Sequence, residues 1–297
     1  MEIAGMPLTL LVNPASASGR ALKLLPRIEA ALDARRVVFR VERTRSLEHG
    51  VDLALRAVES GEVPVVVSGD GLMGAVGGAM AGAETPVGLI PSGRGNDLAR
   101  ALGIPDEPEA AVEVVLAGHS RRIDVGEANG KRFLGIASVG FDSECNRLAN
   151  ETHFLRGNLV YVYSMIRTLV GWRPARFTIA DGGERKRITG YFVDVANNSV
   201  YGGGMYIAPD AKLDDGLFDV VSIGEAGKLH FLRGLGDVFK GAHLDREEVD
   251  VFRASRLTID ASRPFPVYAD GDHLTDLPVS LRVLPSCLSI LVPGGEA

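Results

Sequence analysis

The chain has 297 residues, 46% hydrophobic and 24% charged, which excludes a disordered protein and allows one large or two ordinary domains with full cores. A net charge of -6 argues against a nucleic-acid surface spread over the whole molecule, and no run approaches the ~20 apolar residues of a membrane span. The two cysteines, Cys145 and Cys287, have no metal-ligand or CxxC spacing, so a reduced cytoplasmic protein with at most a surface attachment to membrane is expected.

Strand and helix signals alternate over the first 125 residues. Leu8 to Val12 reads as a strand closed by Asn13-Pro14, and Leu22, Leu25, Ile28 and Leu32 then recur at helical spacing. Val37 to Val41 reads as a second strand, and Val51, Leu55 and Val58 as the apolar face of a second helix. Val63 to Val67 and Val87 to Ile90 are continuous apolar runs of the kind buried on both faces of a parallel sheet. The pattern predicts a doubly wound α/β domain over residues 1–125. In such sheets ligands sit beyond the carboxyl ends of the strands, where Asn13, Thr44, Asp70, Asn96 and Asp97 fall.

After Asp124 the texture changes. Short runs at Phe177 to Ala180, Gly190 to Ala196, Leu217 to Ile223, Arg256 to Ile259, Pro266 to Ala269 and Val279 to Leu284 are separated by turn residues. They predict a mostly antiparallel β-sandwich over residues 126–285. Two helices interrupt it: Thr152 to Gly171, with Leu155, Arg156, Tyr161, Val162, Ile166 and Arg167, and Lys228 to Phe239. A last strand, Leu288 to Val292 within residues 286–297, fits either domain by pattern.

Chemistry concentrates at two loops. Ser68-Gly69-Asp70-Gly71-Leu72 and Gly93-Arg94-Gly95-Asn96-Asp97 each follow an apolar strand and open a helix-like pattern, so their backbone N–H groups are bared toward one edge of the sheet. Alone, either loop is an ordinary turn. Together with the small polar loop Asn13-Pro14-Ala15-Ser16-Ala17-Ser18-Gly19, they read as a phosphate cradle with carboxylates beside it, suited to a nucleotide and a divalent cation. His49, His119, His153, His230, His243 and His273 show no metal-binding spacing, and Cys145 reads as a packing residue. Trp172 with Arg173 and Arg176 reads either as an exposed helix end or as a membrane-interface anchor.

A longer ordered set extends these loops: Asn13-Pro14, Ser68 to Gly71, Gly93 to Asp97, Ile123-Asp124-Val125-Gly126, Gly140-Phe141-Asp142, Tyr201-Gly202-Gly203-Gly204, Lys212 to Asp219 and Asp270-Gly271-Asp272. Over nearly the whole chain it resembles the diacylglycerol kinase catalytic-domain family, most of all its soluble bacterial, actinobacterial-type branch. The resemblance implies a nucleotide domain, a lipid-receiving β-sandwich and a cleft between them. The implied activity is transfer of the γ-phosphate of ATP, with Mg²⁺, to a hydroxyl of diacylglycerol or a similar lipid at the inner membrane surface. A homodimer is also implied.

Site roles follow from the same resemblance. Asp270 matches the general base, and Asp272 stands where the common pattern has glutamate. Asp70, Asp97, Asp124 and Asp214 match an aspartate, water and Mg²⁺ network. Asp215, with the carbonyls of Lys212 and Leu217, matches a second, structural cation site. Nucleotide contacts carry over to Asn13, Pro14, Ala15, Ser16, Thr44, Ser68, Gly69, Asp70, Gly71, Leu72, Gly93, Arg94, Gly95 and Asn96. Leu72 and Arg94 replace threonines of the common pattern. With Ala75 they keep open a catalytically silent lipid or nucleotide sensor, and the shared Gly-Asp-Gly loop keeps open an NAD kinase-like enzyme.

Overall fold

Strand β1 (Leu8–Val12) is buried at every position, as is β3 (Val63–Ser68), and both pair in parallel with register Leu8↔Val63 to Val12↔Val67. The computed structural model describes residues 5–152 and 158–294. The chain forms two compact units, Met1–Val125 with Leu284–Ala297, and Gly126–Val283.

The first unit adds α1 (Arg20–Ala34), β2 (Phe39–Arg43), α2 (Leu47–Glu59), α3 (Asp70–Met80), β4 (Gly88–Pro91), α4 (Asp97–Ala101) and α5 (Pro108–Ala117). Its sheet runs β2-β1-β3-β4, all parallel. Helix α1 packs with α5 and α2 packs with α3, giving the helix-covered parallel sheet that the apolar strands predict. Two expectations shift. The second strand starts at Phe39 because Arg36 takes a left-handed turn (φ 55°), leaving Val38 70% exposed. Helix α2 buries Gly50, Leu53, Ala54 and Ala57, not the Val51, Leu55 and Val58 face, and Leu55 is exposed. Small residues win because α3 comes so close: a Cβ on Gly50 would meet Leu72 Cδ1 at 2.5 Å.

The second unit is built from β5 (Ser120–Ala128), β6 (Lys131–Phe133), β7 (Ile136–Gly140), α6 (Phe141–Glu151), α7 (Asn158–Gly171), β8 (Ala175–Asp181), β9 (Glu184–Ala196) and β10 (Phe218–Gly224), then α8 (Lys228–Val238), β11 (Val249–Ala254), β12 (Arg256–Ala261), β13 (Pro266–Ala269), β14 (Asp272–Asp276) and β15 (Val279–Leu291). The strand order is β14-β13-β7-β9-β8-β12-β15-β5-β6, with β10 pairing β9 and β11. Strands β5 with β6, β7 with β9 and β13, β8 with β9 and β12, β9 and β11 with β10, β12 with β15, and β13 with β14 all pair antiparallel, as the sandwich pattern predicts.

Its core is aromatic. Tyr191 stacks on Phe231 with ring centroids 3.9 Å apart, and Phe141 meets Trp172 edge-on at 5.4 Å. Trp172 is therefore neither an exposed helix end nor an interface anchor: it is buried, with the Arg263 guanidinium over its ring. Of the expected helix Thr152 to Gly171, α7 covers Asn158–Gly171, while Thr152 is the C-cap of α6. The expected Leu155 and Arg156, and His153, lie outside the described residues.

The last two expected strands are one, β15, bent at Ser286 (φ 48°). Beyond the bend the chain belongs to the first unit, where Val87 N donates to Ser289 O and Leu291 N donates to Val87 O.

Candidate active site

In the first unit β3 stops at Ser68, and Gly69 caps α3 without any side-chain cap. The first-turn amides of α3, from Asp70 to Leu72, therefore lack both a helical acceptor and a capping side chain, the usual condition of an anion-binding helix start. Gly69 lies flat against Gly93: a Cβ on Gly93 would stand 2.5 Å from Gly69 Cα. The loops are locked together. Ser92 N donates to Ser68 O at 2.8 Å, Ser16 Oγ to Ser92 O at 3.1 Å, Asn13 Nδ2 to Ser68 Oγ at 3.3 Å, and Arg20 Nη1 to Gly93 O at 3.3 Å.

Two expected contacts are spent on this framework. Asn96 adopts a left-handed backbone (φ 52°), its Oδ1 accepts from Gly93 N at 2.8 Å, and its Nδ2 donates to Asp106 at 3.0 Å. The Gly93 amide and the Asn96 side chain thus shape the loop. The Leu72 side chain is buried toward Gly50, so its backbone amide is what it presents. Thr44 is also buried, while Arg94 is exposed. Ala15 N donates to Asn13 Oδ1 at 3.0 Å, closing the Asn13-Pro14-Ala15-Ser16 turn.

The carboxylates sort themselves. Asp70 Oδ1 accepts from Leu98 N in the first turn of α4 at 3.1 Å, and the Oδ2 atoms of Asp70 and Asp97 both lie about 3 Å from where a Cβ on Gly95 would stand (3.1 and 3.0 Å). Two carboxylates converging beside uncapped amides suit Mg²⁺, which is commonly held by one or two carboxylates plus substrate phosphates. Among the described residues no group of three or more His, Cys, Asp or Glu gathers as a metal cluster. Asp124 is fully buried, and its Oδ1 accepts from Ser286 N at 2.7 Å, a tie inside the first unit.

In the second unit Asp270 occupies the turn between β13 and β14 with a left-handed backbone (φ 53°). Its carboxylate accepts two amides, Leu134 N at 2.9 Å and Gly135 N at 2.8 Å. Gly135 is required there, since a Cβ would meet Asp270 Oδ1 at 2.5 Å. Asp272 is exposed. Asp214, Asp215 and Lys212 are exposed, and Asp215 Oδ1 accepts from Leu217 N at 3.1 Å. That Asx turn accounts for the loop's shape without a cation. Asp219, at the end of the same motif, is buried and pairs with Arg253 Nε at 3.0 Å.

Sequence reading passed over Asp194 and gave no site role to Tyr201, His243 and Asp142. Asp194 and His243 are buried, and Asp142, Tyr201 and His243 line a cavity. The motifs containing Asp142 and Tyr201 pointed there, whereas Asp194 hides in the strand Phe192-Val193-Asp194-Val195. Cys145 packs against the core, and burial pushes its thiol well above the usual range, which fits a packing role.

An uncapped helix start between glycine loops on a parallel sheet, followed by an antiparallel β-unit that holds a clamped aspartate in a turn, is the architecture to compare with known proteins. Residues 7–128 match the diacylglycerol kinase catalytic domain, and residues 135–292 match the YegS C-terminal NAD kinase beta sandwich-like domain. The diacylglycerol kinase of Mycobacterium tuberculosis is 34% identical over 294 residues, 96% of this chain and 94% of that one. That of Bacillus subtilis is 29% identical over 246 residues, 81% of each chain. A solved diacylglycerol kinase structure from Bacillus anthracis superposes with a TM-score of 0.71 at 18% identity, covering 97% of each chain, which speaks for the fold. The chain belongs to the diacylglycerol kinase and YegS-like lipid kinase family and is a lipid kinase.

Proposed function

We propose that the protein transfers the γ-phosphate of ATP to a hydroxyl of a diacylglycerol-like lipid. The observation that carries this reading is the uncapped start of α3 pressed against Gly93, with the Asp70 and Asp97 carboxylates converging beside it. The α3 amides bind phosphate oxygens, and Asp70 and Asp97 would hold Mg²⁺, which neutralises charge on the transferring phosphoryl group when bound. Asp270 accepts the proton of the lipid hydroxyl as its oxygen bonds to the γ-phosphorus. The bond from that phosphorus to the β–γ bridging oxygen breaks, and ADP leaves. The two backbone amides on Asp270 fix the carboxylate's direction. The test is ATP phosphotransfer over diacylglycerol, monoacylglycerol, sphingoid base, ceramide and phosphatidylglycerol, with NAD in parallel, read by mass spectrometry. A phosphorylated lipid is expected. Phosphorylated NAD with every lipid untouched would sink the reading.

The lipid must be met at a surface, and α7 offers one. Leu159, Val162, Ile166 and Val170 fall on one helical stripe and are 65, 47, 51 and 70% exposed. Lys228 Nζ donates to Val170 O at 2.7 Å, tying α7 to α8, which adds Leu229 (73% exposed) and Leu232. Arg167, Arg173, Lys228 and Arg233 are exposed nearby, and α7 carries no acidic residue. Apolar side chains flanked by cations suit an anionic lipid surface. Among the described residues no helix is long and apolar enough to cross a membrane. The protein should co-float with vesicles containing phosphatidylglycerol, and the double substitution Ile166→Glu, Val170→Glu should cut the floated fraction about tenfold. Equal flotation of the two proteins would exclude this stripe.

A further inference from the structure

One exposed face of the second unit is rich in arginine, although the chain as a whole has a net charge of -6. Leu257 and Ile259 of β12 are buried, which turns Arg256, Thr258 and Asp260 to the other side of the strand. The register carries that face across the neighbouring strands. Arg256 stands opposite Arg282 and Thr258 opposite Ser280 on β15, Thr258 opposite Ala180 on β8, and Ala180 opposite Arg185 on β9. Like charges directly opposite each other destabilise a sheet. Glu127 on β5 relieves one member of the arginine pair, accepting from Arg282 Nε at 2.6 Å. The guanidiniums of Arg256 and Arg185, and the hydroxyls of Thr258 and Ser280, have no partner among the described residues.

Arg256, Arg282, Thr258, Ser280 and Ala180 line an open cavity of about 570 Å³, within the roughly 300–1,000 Å³ of small-molecule sites. The three small side chains lie between longer ones and make a depression in the sheet face. Asn129, in the turn between β5 and β6, is spent on the framework: its Oδ1 accepts from Ser280 N at 2.9 Å and its Nδ2 donates to Pro278 O at 3.2 Å. Glu127 is the one acidic residue of the lining, and Arg132 stands opposite it on β6. One row further along, Asp260 and Arg187 both stand opposite Thr178 and offset each other. The excess of cations therefore stays at the cavity.

The chemistry of the missing anion follows. Arginine holds phosphate through paired N–H bonds, and two guanidiniums whose Cβ atoms are ~5 Å apart across a ladder can grip one phosphate. A phosphate monoester carries about −1.5 to −2 charge at pH 7, so it answers two guanidiniums better than a diester or a carboxylate does. Leu257 and Leu281 of the lining are buried, so the cavity presents no large apolar side chain to an acyl chain. Two free hydroxyls suit a ligand body that itself bears hydroxyls.

We propose that this cavity binds a free, water-soluble phosphate monoester with a hydroxylated body, its phosphate held between Arg256 and Arg282 and its hydroxyls at Thr258 and Ser280. The site shares no residue with the glycine loops or with Asp270, so it does not rest on the kinase reading.

The test uses the whole protein with ADP saturating, so that the α3 amides are occupied, and glycerol 3-phosphate as the probe. Isothermal titration compares it with its methyl phosphodiester and with inorganic phosphate. The monoester should bind at least about tenfold tighter than the diester, and about threefold tighter than inorganic phosphate. Arg256→Gln should weaken the monoester at least about tenfold without lowering the ligand-free Tm, because it removes one of two opposed like charges. Thr258→Val should erase the advantage over inorganic phosphate and leave the phosphate affinity itself unchanged. No binding of glycerol 3-phosphate up to about 10 mM, a diester that equals it, or binding unchanged in Arg256→Gln overturns the proposal. Flotation with phosphatidic acid vesicles in place of binding to the soluble probe also overturns it, and makes this face a membrane contact. If ADP itself fails to bind, the nucleotide reading falls alone, and the comparison with Arg256→Gln still decides the cavity.

Discussion

Asp270→Asn is expected to lower kcat for lipid phosphorylation by about 10³-fold while ATP-dependent thermal stabilisation persists. The side chains are nearly isosteric, so packing is preserved. The hydrogen bonding is not: the carboxylate takes Leu134 N and Gly135 N on its two oxygens, and a carboxamide can accept on one end only. One backbone N–H is left facing an NH₂ group, at a cost of ~1–3 kcal/mol. Some of the lost rate will therefore come from displacement of the side chain. The pH–rate profile separates the two causes. If Asp270 accepts the proton, the acid limb of the profile disappears in the variant; if it only orients the hydroxyl, the limb stays. A kcat within tenfold of wild type would remove Asp270 from the chemistry.

Gly93→Ala is expected to abolish ATP-dependent stabilisation and to lower Tm by about 5 °C. The added Cβ would stand 2.5 Å from Gly69 Cα and 2.8 Å from Asn96 Oδ1. Its nearest obstacle is backbone, so no rotamer change relieves the clash. Either the Gly69 and Gly93 loops part, opening the start of α3, or the Asn96 bond to Gly93 N breaks and the turn before α4 unwinds. Both outcomes spoil the phosphate cradle. Gly236→Ala is the control, because a Cβ there meets nothing within 4 Å. Equal ATP binding by the two variants would show that the close approach of the loops does not matter to nucleotide.

The first sheet was legible because β1, β3 and β4 are buried on both faces and so read as unbroken apolar runs. Helix faces were less legible. Helix α2 turns Gly50, Ala54 and Ala57 inward, and apolarity alone cannot outvote the larger Leu55. In the second unit several strands escaped notice. Asp272 to Asp276 is mostly polar, and Ile136 to Gly140 holds small residues between two loops. β15 read as two strands because Pro285-Ser286-Cys287 looks like a break, whereas the chain bends at Ser286 and continues. At the site, the glycine loops were legible from their place after apolar strands, and Asp270 only through the family resemblance. Asp194 was not, since a lone carboxylate in an apolar strand reads the same whether it faces solvent or the core.

The tie from Ser286 N to Asp124, and the bonds of Ser289 and Leu291 to Val87, make the nucleotide-binding unit discontinuous in sequence. During synthesis its sheet and glycine loops emerge first, but the segment that satisfies the buried Asp124 carboxylate is made more than 150 residues later. The inserted unit is contiguous from Gly126 to Val283. The nucleotide-binding unit is therefore completed only by a segment made after the whole inserted unit, and until then it has an uncovered strand edge beside Val87.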